Sequence, residues 1–204
     1  MSFLEGTEYF VQVRAQDALG NWSAWFYRSF FHDQTLPNAP TGIGLTDSVV
    51  VGMDNWTNDS TPQFTWTNST DTQAMHVASP HKVKIGTAAE LEKDDLLAVT
   101  GTGVSPYTAA DLGWTTGNEY FFNVQGQDAA GNVSAFVEYA FKFDNTPPVV
   151  TGSPVTGTVG TGGHRYTNDT TPTIDWTPAT DGDSGLHATP YSVRIGTSYG
   201  DNSV

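Results

Sequence analysis

Apolar and polar residues alternate through Tyr9-Phe10-Val11-Gln12-Val13-Arg14-Ala15, placing Tyr9, Val11, Val13 and Ala15 on one side. The same alternation returns at Tyr120, Phe122, Val124 and Gly126. Successive side chains of a strand point to opposite faces, so each stretch predicts a strand with one buried face. Both run into an Asp-Ala-x-Gly-Asn segment, Asp17–Asn21 and Asp128–Asn132. Asp, Gly and Asn cap or tolerate turn backbone, so the chain is expected to reverse there into a second, aromatic strand. In the first copy that arm is expected over Trp22–Phe31. Tyr9–Trp25 and Tyr120–Phe136 are identical at 10 of 17 positions, at an offset of 111 residues. The hairpin is used twice.

Two further blocks repeat. Trp56–Thr67 matches Tyr166–Thr177 at 7 of 12 positions, offset by 110, and Lys82–Thr87 corresponds to Ser192–Thr197 at the same offset. The alternations Phe64/Trp66 and Ile174/Trp176 place one large aromatic per unit in a core. Short strands are also expected over Gly42–Leu45 and Tyr107–Leu112, while Glu90–Leu97 reads as a helical turn or a polar edge segment. The hairpins end at Asp33-Gln34-Thr35-Leu36-Pro37 and Asp144-Asn145-Thr146-Pro147-Pro148. Proline cannot donate to a sheet ladder, so both places read as stiff linkers at domain boundaries. Short strands separated by turns, without a convincing helix, predict an all-β chain of antiparallel sandwiches. A period near 110 residues is the length of one small β-domain. Residues 1–36 then hold the last strands of a first unit, 37–146 a complete one, and 147–204 the first strands of a third.

These stretches resemble a family. Tyr9–Ala15 and Tyr120–Gly126 are similar to the Y-x-V-x-V-x-A pattern in the penultimate strand of fibronectin type III domains. Trp66 and Trp176 fall where that family keeps its core tryptophan, and Leu112, eight residues before Tyr120, matches the leucine near its tyrosine corner. DAAGNVS, DNTPP, TNDTTP and TDGDSGL resemble tandem Ig-like and fibronectin-like repeats of long bacterial surface proteins and adhesins. The resemblance implies tandem Ig-like or fibronectin type III-like sandwiches, an extracellular or cell-surface location, and a structural or adhesive role. Sandwiches of this kind carry many unrelated functions. The loop Gln73–His76 differs from Gly182–Gly185, so a role for that loop is not shared by both units.

Charge narrows the partners. Lys and Arg number 8 against 22 Asp and Glu, a net charge of −14. Nothing here neutralises a run of phosphates or docks on anionic lipid, whereas divalent cations are favoured. No cysteine is present, and no apolar run approaches the ~20 residues that span a bilayer. Met1–Glu5 leads directly into repeat sequence without a signal peptide, so the start reads as a cut made by cloning or processing.

Catalysis is not expected. The histidines His32, His76, His81, His164 and His187 are scattered, and there is neither a G-x-S-x-G elbow nor a Gly-rich phosphate loop. Calcium is the open question, because hard cations take carboxylate, amide and carbonyl oxygens from loops. Asp33 with Asn58 and Asp59, and Asp144 and Asn145 with Asn168 and Asp169, supply such oxygens near the junctions. Asp181 and Asp183 form a separate candidate. In the resembled adhesin repeats, acidic linker residues bind calcium and stiffen the array. The alternative is that Asn-Asp before a Thr-Pro segment caps its own turn. The Asp17/Asn21 and Asp128/Asn132 tips read as turns. Asn-x-Ser/Thr triplets at Asn21, Asn55, Asn58, Asn68, Asn132 and Asn168 become glycan sites only in an organism that glycosylates them. Trp22, Trp25 and Trp114 either stack on sugars or close the end of a sandwich.

The partners expected are neighbouring repeats or copies of the same chain, with a surface glycan or protein ligand as a further possibility. Val204 corresponds to position 94 of the complete unit and Met1 to position 112, so the two partial units nearly make one whole. Head-to-tail completion by a second copy is one expectation, and an excised piece of a longer array is the other.

Overall fold

The computed structural model describes residues 2–87, 95–152, 154–160 and 163–198. The chain divides into two compact units, Met1–Phe143 and Asp144–Val204. The first begins with β1 (Thr7–Val13) and β2 (Phe26–His32), antiparallel from Thr7↔His32 to Val13↔Phe26. The hairpin expected as a partial repeat thus shares a compact unit with the sandwich that follows.

That sandwich runs β3 (Thr41–Leu45), β4 (Val49–Val51), β5 (Asp54–Thr57), β6 (Gln63–Thr67), β7 (His81–Gly86), β8 (Asp95–Thr102), β9 (Tyr107–Thr108), β10 (Glu119–Gly126) and β11 (Val137–Phe143). One sheet has the order β4-β5-β11-β10-β7-β8, the other β3-β6-β9. Neighbours are antiparallel except β11 and β5. This is the expected all-β sandwich. Of the segment 90–97 left open as turn or edge, residues 90–94 lie outside the described residues. From Asp95 the chain is an edge strand.

The inward positions of β10 and β6 meet in the core. Phe64 stacks on Phe122 with centroids 4.0 Å apart, and Trp66 lies 5.9 Å from the same ring. Val83, Ile85, Val124 and Phe141 complete the surroundings. At the end of the core the Thr115 N–H donates to the Tyr120 hydroxyl at 2.7 Å, and Trp114 packs edge-on against Tyr120 at 4.9 Å. Gly117, with φ of 82°, turns the chain so that its N–H reaches the Phe143 carbonyl. Buried His81 is held neutral: Nε2 accepts the Ser69 N–H at 3.1 Å, Nδ1 faces the Gly103 carbonyl at 3.1 Å, and burial pushes its pKa below the usual value.

The N-terminal hairpin reproduces this corner residue for residue. The Leu4 N–H donates to the Tyr9 hydroxyl at 2.7 Å, Phe3 packs edge-on against Tyr9 at 4.8 Å, and the Gly6 N–H reaches the His32 carbonyl. Yet Val11 is 58% exposed where its counterpart Phe122 is 0%.

In the second unit β12 (Thr158–Val159) pairs with β13 (Arg165–Tyr166), and bridges join Val149 to Thr180 and Val155 to Asp175. Trp176 packs against Tyr191 at 5.3 Å, and the Tyr191 hydroxyl accepts the Ala179 N–H at 2.8 Å. Their counterparts in the complete unit are Trp66 and His81, 5.4 Å apart, with His81 accepting the Ser69 N–H.

Position 122 and its repeat partner test this reading of the core. Phe122→Ala is expected to cost ~3–5 kcal/mol in denaturant unfolding of the sandwich. Val11→Ala, in dilute solution, is expected to stay within ~0.5 kcal/mol of wild type.

Candidate cation site

The tip between β10 and β11 is built by one carboxylate. The Gly131 and Asn132 N–H groups donate to Asp128 Oδ1 at 2.7 and 2.8 Å, and Asn132 Nδ2 donates to Oδ2 at 2.7 Å. The Asp17 tip has the corresponding bonds from Asn21. Asp128 differs in being fully buried. The 70–79 loop lies against the tip, with the Ala129 N–H donating to the Ala74 carbonyl and the His76 N–H to the Gln127 carbonyl. The linker after β2 reaches the same place. Asn132 Nδ2 donates to the Asp33 and Thr35 carbonyls at 3.2 and 3.3 Å. Asn38 binds Thr70 through backbone and side chain. Gly126 lies so close to Ser69 that an added Cβ would clash with its side chain.

Three carboxylates from three segments therefore converge. One oxygen each of Asp33, Asp71 and Asp128 lies within 4.8 Å of the others. Oxygens about 2.3–2.6 Å from a shared calcium lie at such separations, and an all-oxygen set suits a hard cation rather than zinc. Asp71 Oδ2 is buried and has no hydrogen-bond partner in the protein. An unsatisfied buried carboxylate oxygen is costly, and a cation removes that cost. Burial raises the Asp33 pKa, the Thr35 N–H works against it, and the Glu5 side chain with the negative charge of Asp71 and Asp128 adds to the rise. Glu5 accepts the Thr35 hydroxyl at 2.8 Å and the Gln34 N–H at 3.0 Å, and these bonds lower its own pKa.

The grouping expected from sequence needs correction. Asp33 does not share a site with Asn58 and Asp59. Thr57 pairs with Phe143 at one end of the large sheet, whereas Asp128 follows Gly126 at the other. β10, eight residues long, separates the two ends by roughly 25 Å. Asp59 instead caps its own turn, accepting the Thr61 N–H at 2.8 Å. Asp169 does the same for Thr171, with Asn168 exposed beside it. Asp144 is nearly buried and accepts the Ser184 and Thr146 N–H groups at 3.0 and 2.8 Å. Burial raises its pKa, but those hydrogen bonds outweigh it and leave the group below the ordinary value. Asn145 is exposed in the linker beside it. Asp181 Oδ1 accepts the Asp183 and Gly185 N–H groups, and Asp183 itself is exposed. Asp71 and Asp128 were absent from the expected set. The signal for Asp71 was available: Thr70-Asp71 and Thr180-Asp181 recur at the 110-residue offset.

Trp114 is not a sugar platform. Its ring packs on Tyr120 and Phe141, and its Nε1–H donates to the Ser60 carbonyl at 2.7 Å. Trp22 and Trp25 are exposed, with the Arg14 guanidinium 4.0 and 4.5 Å from their ring centroids. A surface pocket of about 220 Å³ holds the Lys142–Asp54 ion pair, at 2.7 Å. Among the described residues, it presents no nucleophile paired with a base.

Fold and site together define a β-sandwich repeat with an acidic cluster where a linker meets a hairpin tip. No family model matches the sequence. A curated relative, chitinase A1 of Niallia circulans, is 33% identical over 137 residues, covering 64% of this chain and 16% of that protein. The chain thus spans about a sixth of the relative it matches. Among solved structures, an Fn3-like protein from Clostridium thermocellum aligns at 20% identity, over 55% of this chain and 98% of that one, with a TM-score of 0.35. An alpha-L-rhamnosidase from Dictyoglumus thermophilum aligns at 10% identity over 61% and 15%, with a TM-score of 0.41. A beta-1,2-glucanase from Parabacteroides distasonis aligns at 12% identity over 64% and 17%, with a TM-score of 0.33.

The raised Asp33 pKa carries a sign that can be tested. Its ionisation opposes folding, fully above the raised value and not at all below the unfolded value of ~3.9. In chelator at neutral pH, Asp33→Asn is expected to melt above wild type, and the difference is expected to vanish in scans below that pH.

Proposed function

We propose that the chain is a non-catalytic structural or adhesive repeat module, a spacer or stalk segment of an extracellular microbial surface protein, stiffened by calcium at a junction. The observation that carries this reading is the meeting of Asp33, Asp71 and Asp128, with the buried Asp71 Oδ2 left without a protein partner. Asp33 belongs to the linker, Asp71 to a loop of the sandwich and Asp128 to the hairpin tip. A divalent ion among them ties the linker to the sandwich and removes mutual repulsion. A junction so tied transmits force and direction along an array, which suits a spacer.

Calorimetric titration with calcium is expected to show one site in the first unit and a rise in its melting temperature. Binding at 100 times Kd stabilises a fold by about 2.7 kcal/mol. Asp71→Asn is expected to abolish the site while leaving the chelated protein folded. Absence of calcium binding in wild type contradicts the stiffened junction.

A second reading is an accessory module that recognises carbohydrate or a protein ligand through loops at one end. The likeness to part of a chitinase and the exposed Trp22 and Trp25 favour it. Arg14 lies over both rings, which competes with sugar stacking. This reading requires retention on insoluble chitin that is lost in Trp22→Ala/Trp25→Ala. The spacer reading expects no retention.

A further inference from the structure

His81 is buried, and both of its ring nitrogens are committed to backbone groups. The Gly103 carbonyl can only accept, so Nδ1 carries the hydrogen of the neutral ring. Nε2 is left to accept the Ser69 N–H at 3.1 Å. Ser69 is boxed in from the other side. Gly126 stands opposite His81 in the β7–β10 ladder, and a Cβ added there would clash with the Ser69 side chain. The next residue, Thr70, holds the linker between β2 and β3. The Asn38 N–H donates to the Thr70 carbonyl at 3.1 Å, and the Thr70 N–H and hydroxyl donate to Asn38 Oδ1. One imidazole nitrogen thus anchors the segment on which the linker rests.

The second unit has the same arrangement with a different acceptor. The Tyr191 hydroxyl accepts the Ala179 N–H at 2.8 Å. The next residue, Thr180, exchanges backbone hydrogen bonds with Val149 of the linker that precedes that unit. Ala179, Thr180 and Tyr191 correspond to Ser69, Thr70 and His81 at an offset of 110, and Val149 to Asn38 at 111. A phenol oxygen accepts a hydrogen bond throughout the acid range, whereas an imidazole nitrogen stops accepting once protonated. The geometry is shared and the chemistry is not.

We infer that His81 is an acid-sensitive latch on the linker. Protonation of Nε2 sets two N–H groups against each other, frees Ser69 and Thr70, and loosens Asn38 with them. The Tyr191 latch stays closed in acid. A chain with both kinds holds both linkers at neutral pH and releases one of them in acid. The latch does not depend on a bound cation.

The surroundings of the ring fix the direction. Burial lowers the His81 pKa, and the Gly103 carbonyl raises it less. β6 brings the uncharged Trp66 ring to 5.4 Å. The charged residues on the other elements are Asp71 in the loop, Asp128 beyond β10, Glu119 and Asp95 at the far ends of β10 and β8, and Lys82 and Lys84 on the opposite face of β7. With a lowered pKa, the stability that His81 contributes is complete above the unfolded value of ~6.5 and falls as pH drops toward the folded value. The raised Asp33 pKa acts with the opposite sign.

Amide hydrogen exchange of the whole chain in chelator, from pH ~7.5 to ~5, tests the latch. Below pH ~6.5 the protection factors of the Ser69 and Asn38 amides are expected to fall about tenfold per pH unit until the folded pKa is reached. They are expected to lie below that of the Phe122 amide throughout, because the latch opens without the core. The Ala179 and Val149 amides are expected to lack this dependence. In His81→Gln the side-chain amide accepts from Ser69 and donates to Gly103 without titrating, so the response is expected to flatten. His76 also accepts a backbone N–H, that of Ser79 at 3.0 Å, and His76→Gln is expected to keep the wild-type response. Nitrogen-15 shifts of the wild-type His81 ring decide independently if His81→Gln does not fold. They are expected to show the hydrogen on Nδ1 and a titration that coincides with the loss of protection. Hydrogen on Nε2 at neutral pH overturns the proposal. So does Ser69 protection that is constant across the range, equal to that of Phe122, or equally pH-dependent in His81→Gln.

Discussion

A β-sheet with one apolar face is stable only when that face is covered, and in this chain everything else follows from how the cover is supplied. In the complete repeat, Phe64 and Trp66 lie over Phe122 and Tyr120 closes the end of the core through the Thr115 N–H. Burying each such side chain contributes about 1.5–3 kcal/mol. The identical corner at Tyr9 shows that the local geometry does not need the second sheet: turn, hydroxyl bond and edge-on ring persist with Val11 and Val13 exposed. Local sequence sets the hairpin, and packing decides its stability.

The Asp-Ala-x-Gly-Asn tip serves two ends. Asp128 spends its oxygens on the Gly131 and Asn132 N–H groups and the Asn132 amide, which holds the turn. The same amide reaches the linker carbonyls of Asp33 and Thr35, which brings a further carboxylate to the tip. Turn formation and charge crowding are therefore one feature. The Asp17 tip has the turn, but among the described residues it has no carboxylate cluster.

Much of the fold was legible in the sequence, because strand alternation at Tyr9–Ala15 and Tyr120–Gly126 and proline-marked linkers are local signals. Residues 107–112 illustrate the limit: a strand was expected throughout, yet only Tyr107–Thr108 pair with β6. The site was less legible. Asp33 is visible in the sequence as a linker carboxylate, but its neighbours depend on strand direction, which places Asp59 and Asp128 at opposite ends of β10. Asp128 was read as a turn former, which it is, and composition cannot reveal that a buried turn former also faces two other carboxylates. For Trp114 the sequence leaves two roles open, sugar stacking or closing the end of a sandwich, and its contacts with Tyr120, Phe141 and Ser60 decide for the second.

The most direct test of the central claim is crystallography of the chain grown in calcium, with anomalous data that distinguish calcium from water. The account predicts an anomalous peak ~2.3–2.6 Å from oxygens of Asp33, Asp71 and Asp128, completed by further oxygen ligands. A fully ordered site with only water among those carboxylates, in a crystal grown at saturating calcium, would contradict it.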